Sequence, residues 1–173
     1  TFLINLYYQY KTKLFKKFEI FLIPLNSPYV EEHIESIPEE IKCRSIVLFD
    51  ALDEDGKAAS NYVERIETLM KLTAKFRFVV ITCRTQFFPF EEAEPSEIDI
   101  RKHGSNGEFH RFKKLYISPF TDANIKRYLW KKYSLLHLKK GIKAYKIVKA
   151  SPYLMVRPML LSYIDDLLLS KNA

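Results

Sequence analysis

The stretch that decides the fold is Ile46-Val47-Leu48-Phe49-Asp50-Ala51-Leu52-Asp53-Glu54-Asp55. Its four consecutive apolar residues, preceded by Ser45, predict a strand that is buried on both faces, as in a parallel sheet. Asp50 would then stand at the carboxyl end of the strand, the edge at which open α/β sheets bind ligands. Three further carboxylates follow directly, a pattern that favours a Mg²⁺ and phosphate site. Residues 53–55 also fit the acidic start of a helix.

The flanking residues predict an α/β unit around this strand. Residues 19–23 are predicted to form a short apolar strand, residues 61–74 repeat apolar side chains at helical spacing, and residues 76–83 are predicted to form a second buried strand. A strand, a helix and a strand with short connections imply a parallel crossover. We also expect a helix within residues 1–17, a helix capped by Ser27, a loop over residues 86–108 and a third strand at residues 115–117.

The pattern becomes entirely helical after Pro119. Thr121 is suited to cap a helix, and Phe120 and Ile125 are spaced as a hydrophobic staple around it. We expect helices at about residues 122–134, 140–150 and 158–170. The predicted architecture is therefore an α/β domain over residues 1–117 and an all-helical domain over residues 118–173.

A second chemical signal lies at the end of the strand predicted over residues 76–83. Thr82 and Arg84 follow Ile81 there. If this strand neighbours the one that ends at Asp50, both side chains lie at the same sheet edge as the carboxylates. A guanidinium at that edge can hold a phosphate bidentately. It can equally pair with one of the nearby acids.

Taken together, these stretches resemble a NACHT-type P-loop NTPase, of the signal-transduction ATPases with numerous domains (the STAND class). Residues 46–54 are similar to that family's Walker B motif, and residues 80–84 resemble its sensor 1 strand. Residues 115–120 look like its junction into a helical domain. Residues 156–161 resemble the segment whose proline packs near the nucleotide base. The fold that this implies is a parallel-sheet P-loop NTPase core followed by a small helical domain.

The resemblance also implies a function and a set of site residues. Members bind ATP or ADP with Mg²⁺ and act as switches in signal transduction, many of them in bacterial defence, with homo-oligomers in the active state and other domains in the same chain. Asp50 would hold the hydrated Mg²⁺. Asp53 and Glu54 would be catalytic and orient the attacking water, with Glu54 as the base. The residues implied to contact the nucleotide are Thr1, Thr82, Arg84 and Pro158.

One element of the family is missing from the sequence. There is no G-x-x-x-x-G-K-[ST] loop, and the four glycines stand at positions 56, 104, 107 and 141. Residues 1–6 look like the start of the helix that follows such a loop. We therefore expect the Walker A motif to end at or just before Thr1, with an ancestral loss of the loop as the alternative. Without the loop, the chain as given is expected to be inactive.

Charge distribution leaves two further function classes open. The net charge is +7, yet acidic residues outnumber basic ones over residues 19–67, and Asp122 is the only acid over residues 110–149. That basic stretch fits a solvated helical face, an acidic partner or a nucleic-acid surface. Tyr116, Tyr128, Trp130 and Tyr133 interleave with its cations. The alternatives are a non-hydrolysing interaction module that docks through residues 118–173 and a nucleic-acid binder that uses residues 110–149.

Composition indicates the cellular setting. Hydrophobic residues make up 47% of the 173 residues, which is typical of a globular chain. No apolar run is long enough to span a bilayer, and the histidines and cysteines have no zinc-site spacing. Cys43 and Cys83 are predicted to be reduced thiols in the core. We expect a cytoplasmic protein without a membrane partner.

Overall fold

The computed structural model describes residues 2–88, 100–101, 109–110, 112–133, 137–151 and 157–170. The chain divides into two compact units, Thr1–Lys114 and Leu115–Ala173, here called the sheet unit and the helical unit. The division lies a few residues before the predicted boundary at residues 117–118. The predicted α/β class is confirmed in its coarse form, a mixed α/β chain with a small parallel sheet and several helices.

Three parallel strands form the centre of the sheet unit. They are β1 (Glu19–Pro24), β2 (Ser45–Asp50) and β3 (Phe78–Ile81), in the order β1-β2-β3. The parallel pairing of β2 with β3 confirms the predicted crossover. Within the described residues, no strand pairs with the outer edge of β3. Phe78 and Val80 on this strand are exposed. The prediction of a buried strand over residues 76–83 is therefore wrong in its burial and its bounds, because β3 covers only Phe78–Ile81 and no described strand pairs with its outer edge.

The two faces of the sheet are covered by different helices. Leu48 packs with Leu3 of α1 on one face, and Phe49 packs with Ile34 and Leu69 on the other. This alternation explains why β2 needs apolar residues at successive positions. The helices of the sheet unit are α1 (Phe2–Lys11), α2 (Val30–Glu35), α3 (Glu39–Lys42), α4 (Gly56–Ser60) and α5 (Tyr62–Leu72).

The helical unit builds a core of its own. Its helices are α6 (Asp122–Tyr133), α7 (Leu138–Ala150), α8 (Pro158–Ser162) and α9 (Ile164–Ser170). Leu129 and Ile164 are buried in this core. As predicted, the Thr121 hydroxyl caps the first helix, since its Oγ1 accepts a hydrogen bond of 3.3 Å from the amide of Asn124.

Several predicted details are wrong. Residues 115–117 are exposed and form no strand, because an apolar run becomes a strand only when another strand pairs with it. The first helix ends at Lys11, well before residue 17. Ser27 accepts a hydrogen bond from the amide of Tyr29, but α2 begins only at Val30. Cys43 is exposed and Cys83 half-buried, because both lie beside strands in connecting turns.

The acidic segment after β3 is described only at its ends. A 3₁₀ turn covers Thr85–Phe87, and two short strands, β4 (Ile100–Arg101) and β5 (Phe109–His110), pair antiparallel. The prediction of a long loop over residues 86–108 falls mostly outside the described residues.

Candidate functional site at the carboxyl end of the sheet

The chain turns sharply where β2 ends. Ala51 has a positive φ of 61°, and a 3₁₀ turn over Leu52–Glu54 follows it. Thr82, just after β3, holds the start of this turn. Its Oγ1 accepts a hydrogen bond of 3.1 Å from the amide of Ala51, and its carbonyl oxygen accepts one of 2.8 Å from the amide of Leu52. The backbone of one strand end is thus fixed to the next.

The side chains of Asp50 and Thr82 are in direct contact. The Thr82 hydroxyl donates a hydrogen bond of 2.8 Å to Oδ1 of Asp50. The register places Phe49 opposite Ile81, so the residues that follow, Asp50 and Thr82, leave the sheet side by side. The predicted meeting of the two strand ends is confirmed, and a carboxylate and a hydroxyl are brought together there.

Arg84 joins the same group of side chains. Its backbone amide donates to Oδ1 of Asp53 at 3.1 Å, and its Nε lies 3.2 Å from Oδ2 of the same residue. Its Nη2 lies 3.1 Å from Oε1 of Glu54. The Arg84 side chain is 71% exposed. The arginine therefore pairs with the acids after β2, which is the alternative that the sequence left open for it.

For two predicted site residues, a place at this cluster stays a prediction. Thr1 lies outside the described residues. Pro158 is the first residue of α8 in the helical unit, and its side chain is not among those described. The strand-end cluster accordingly consists of Asp50, Asp53, Glu54, Thr82 and Arg84.

Asp55 behaves differently from the acids that precede it. It is 3% exposed, and its Oδ1 accepts a hydrogen bond of 2.8 Å from the amide of Lys57, which caps α4. This matches the alternative that acids in this run begin a helix. The Asp-Gly pair followed by helix-forming residues is the sequence signal for such a cap.

The strand-end cluster suits a hard cation only as part of a larger ligand set. In the part of the chain that the structure describes, no three His, Cys, Asp or Glu side chains come together as metal ligands could. Mg²⁺ commonly takes only one or two carboxylates and fills its other positions with water and phosphate oxygens. Asp50, half-buried with one oxygen oriented by Thr82, has the donor chemistry for that arrangement.

The aromatic residues of the basic stretch do not form one surface. Tyr133 is buried in the helical core, and its hydroxyl donates a hydrogen bond of 2.8 Å to Asp165. Burial and the Asp165 carboxylate raise the pKa of Tyr133 above its usual value. Trp130 is 64% exposed, and Arg127 and Lys131 on the same helix are exposed as well.

Comparison of the chain with protein-family models, with curated proteins and with solved structures gives no match. None of the described helices combines the length and the apolar character that a transmembrane span requires. The features of this chain that bear on function are the geometry of the strand-end cluster and the resemblance of its sequence.

Proposed function

We propose that this chain is part of a NACHT-type, STAND-class P-loop NTPase that binds ATP or ADP with Mg²⁺ and hydrolyses ATP as a signalling switch. The observation that carries the proposal is the contact between Thr82 and Asp50 at the ends of two adjacent parallel strands. Glu54 and Arg84 stand beside that contact. These residues occupy the edge at which α/β sheets bind their ligands.

Each side chain has a role that its position supports. Asp50 would hold the water shell of Mg²⁺, which neutralises charge on the phosphate oxygens. Glu54 would accept a proton from the attacking water, and Asp53 would orient that water. Thr82 restrains the Asp50 carboxylate, because its hydroxyl donates a hydrogen bond to one carboxylate oxygen.

Arg84 would exchange its carboxylate partners for phosphate. It now contacts Asp53 and Glu54 with its side chain largely exposed. The pair with Glu54 is exposed on both sides, and such pairs contribute only about 0–1 kcal/mol, so this contact is easily given up. Asp53 is 10% exposed, but it keeps the hydrogen bond from the Arg84 backbone amide when the guanidinium leaves. A γ-phosphate attracts the guanidinium in a bidentate fashion, and leaving Glu54 would free that carboxylate to act as a base.

The outer edge of β3 supports the same proposal. A P-loop lies between a strand and a helix, and a core that carries one needs a strand for it. Phe78 and Val80 leave an apolar strand exposed where a further strand can pair. Parallel sheets are normally covered on both faces, and the exposed side chains of Phe78 and Val80 show that the described residues leave one face of β3 uncovered.

The test begins with the codons that precede Thr1, where the proposal requires a glycine-rich loop ending in Lys-Ser or Lys-Thr. In a protein that contains this loop, Glu54→Gln should lower ATP turnover by about 10²–10⁴-fold while leaving ATP binding intact, since it removes only the general base. Asp50→Asn should lower the Mg²⁺-dependent turnover. Turnover is measured as phosphate release and binding with labelled ATP.

Glu35→Gln is the matched control, because Glu35 is an exposed acid of α2 away from the strand end. It should leave turnover unchanged. Equal turnover in the wild type, Glu54→Gln and Asp50→Asn would contradict the assigned roles. A loop-containing protein that binds no ATP would overturn the proposal as a whole and favour a non-hydrolysing interaction module.

One observation favours the second candidate function, binding of nucleic acid through the helical unit. Trp130 is exposed beside Arg127 and Lys131, which combines a stacking surface with cations. A gel shift at low salt that weakens as salt rises, and that is lost in Trp130→Ala, would support this function. No shift at low salt would exclude it.

A further inference from the structure

Arg65 on α5 is a buried cation with two carboxylate partners. The residue is 4% exposed. Its Nε lies 2.6 Å from Oδ2 of Asp55, and its Nη1 lies 2.5 Å from Oε1 of Glu31 on α2. Because the two contacts use different nitrogens of one planar guanidinium, both carboxylates are held in a fixed relation to α5.

Asp55 transmits this restraint to the turn that carries Asp53 and Glu54. The amide of Asp55 donates to the carbonyl of Leu52 at 3.2 Å, and the amide of Glu54 donates to that of Ala51 at 3.0 Å. Oδ1 of Asp55 is taken by the cap of α4, so both of its carboxylate oxygens are engaged. Asp55, which directly follows Glu54, therefore cannot change its conformation without breaking these hydrogen bonds.

The opposite end of the same turn is fixed by β3. The carbonyl of Thr82 accepts from the amide of Leu52, and the Thr82 hydroxyl accepts from the amide of Ala51. The turn is thus held by β3 at its start and by α5 at its end. Glu54, between these two points, is placed by restraints that do not involve its own side chain.

We propose that Arg65 is a positioning residue that keeps the Leu52–Glu54 turn, and with it the Glu54 carboxylate, in place at the carboxyl end of β2. The catalytic consequence rests on the function proposed above. A buried ion pair is seldom more stabilising than apolar side chains of the same volume. The ion pair matters here because it orients the Asp55 carboxylate, whereas apolar side chains would fill the same space without orienting it.

Arg65→Lys is the first test, since it keeps the charge but loses the planar fork. Hydrogen exchange at the amides of Glu54 and Asp55 should accelerate about tenfold relative to the amide of Leu48 in the core. In the loop-containing protein, kcat should fall by about 10–100-fold with little change in the KM for ATP, because binding precedes the step that needs Glu54.

Asp55→Asn is the second variant, and it covers the case in which Arg65→Lys folds poorly. The amide keeps the oxygen that caps α4 and weakens the contact with Arg65, so the same kcat loss at constant KM is expected. Arg44→Lys makes the same chemical change at an exposed arginine and serves as the control. It should alter neither the exchange rates nor kcat.

The outcomes separate the two proposals. If the wild type shows no turnover, the function proposed above fails, while the exchange rates of Glu54 and Asp55 still decide whether Arg65 holds the turn. If the wild type is active and Arg65→Lys matches it in both exchange and kcat, the positioning role is overturned. A loss that appears only in KM would also contradict it.

Discussion

Two arginines contact the acidic run after β2, and they do so in different surroundings. Arg65 is almost fully buried and reaches Asp55 and Glu31, whereas Arg84 is mostly exposed and reaches Asp53 and Glu54. The four carboxylates involved include three in succession along the chain. Their neighbours, rather than their position in sequence, decide which of them can take part in chemistry.

The two arginines differ in the free energy that is lost when a carboxylate partner is removed. A charge left alone in a buried site loses its hydration without compensation, so the Arg65 contacts persist. At an exposed site water replaces a lost partner, so the Arg84 contacts can be exchanged. The backbone of the turn is accordingly held by both β3 and α5, whereas the Arg84 side chain can exchange its partners, as a ligand-responsive site requires.

The largest expected effect is the loss of stability in Arg65→Ala. This variant leaves Asp55 and Glu31 without their shared cation, and we expect the free energy of unfolding to fall by about 3 kcal/mol. This loss lies at the low end of the range for removing one partner of a buried ion pair, because the Glu31 side chain is 27% exposed and keeps Lys57 as a partner. Urea denaturation followed by circular dichroism measures it. A loss below about 1 kcal/mol would contradict the contrast between the two arginines.

An intermediate effect is expected from acid. Partial burial by itself would raise the pKa of Glu31, but hydrogen bonds from Lys57 and Arg65 lower it from 4.5 to about 2. Since the folded-state pKa is the lower one, the ionised group stabilises the fold above about pH 4.5, and this contribution is lost as the pH falls toward 2. Denaturation midpoints over this range should fall less steeply in Glu31→Gln than in the wild type. Equal slopes would show that the network does not respond to acid.

The smallest effect is expected for Arg84→Gln. The Asp53 side chain is only 10% exposed, but it keeps the hydrogen bond from the backbone amide of residue 84 in this variant. The side-chain contacts of the 71% exposed Arg84 should therefore contribute about 1 kcal/mol or less to the free energy of unfolding. High salt should reduce this contribution further, because it screens exposed charges. Urea denaturation at low and high salt measures both effects. A salt-independent loss as large as that of Arg65→Ala would remove the distinction between the two arginines.

Much of the strand-end cluster could be predicted from sequence. Four apolar residues before Asp50 and an apolar run before Thr82 are local signals for parallel strands, and adjacent parallel strands end at the same edge. The pairing of Asp50 with Thr82 follows from these facts. The burial of the second strand does not follow from its apolar run, since Phe78 and Val80 are exposed. The predicted strand at residues 115–117 is wrong because pairing depends on a partner strand, which local sequence does not specify.

The role of Arg65 was missed because an arginine in a helix usually faces solvent. A signal was nevertheless present. Arg65 stands three residues after Tyr62 and four before Leu69, which puts it on the apolar side of α5 next to Ile66. A charged residue on such a stripe indicates a buried partner, although the identity of Glu31 as that partner depends on the tertiary fold.

The backbone at Ala51 restricts how this region can vary. A positive φ brings Cβ close to the backbone and costs an L-residue about 1–2 kcal/mol relative to glycine, with asparagine and aspartate the best tolerated and β-branched residues the worst. Alanine tolerates this geometry with the least bulk, whereas valine or isoleucine would push the chain into another path and pull Asp50 away from Thr82. Position 51 therefore accepts very few amino acids. This restriction comes from the backbone conformation and does not depend on the chemical roles of the neighbouring residues.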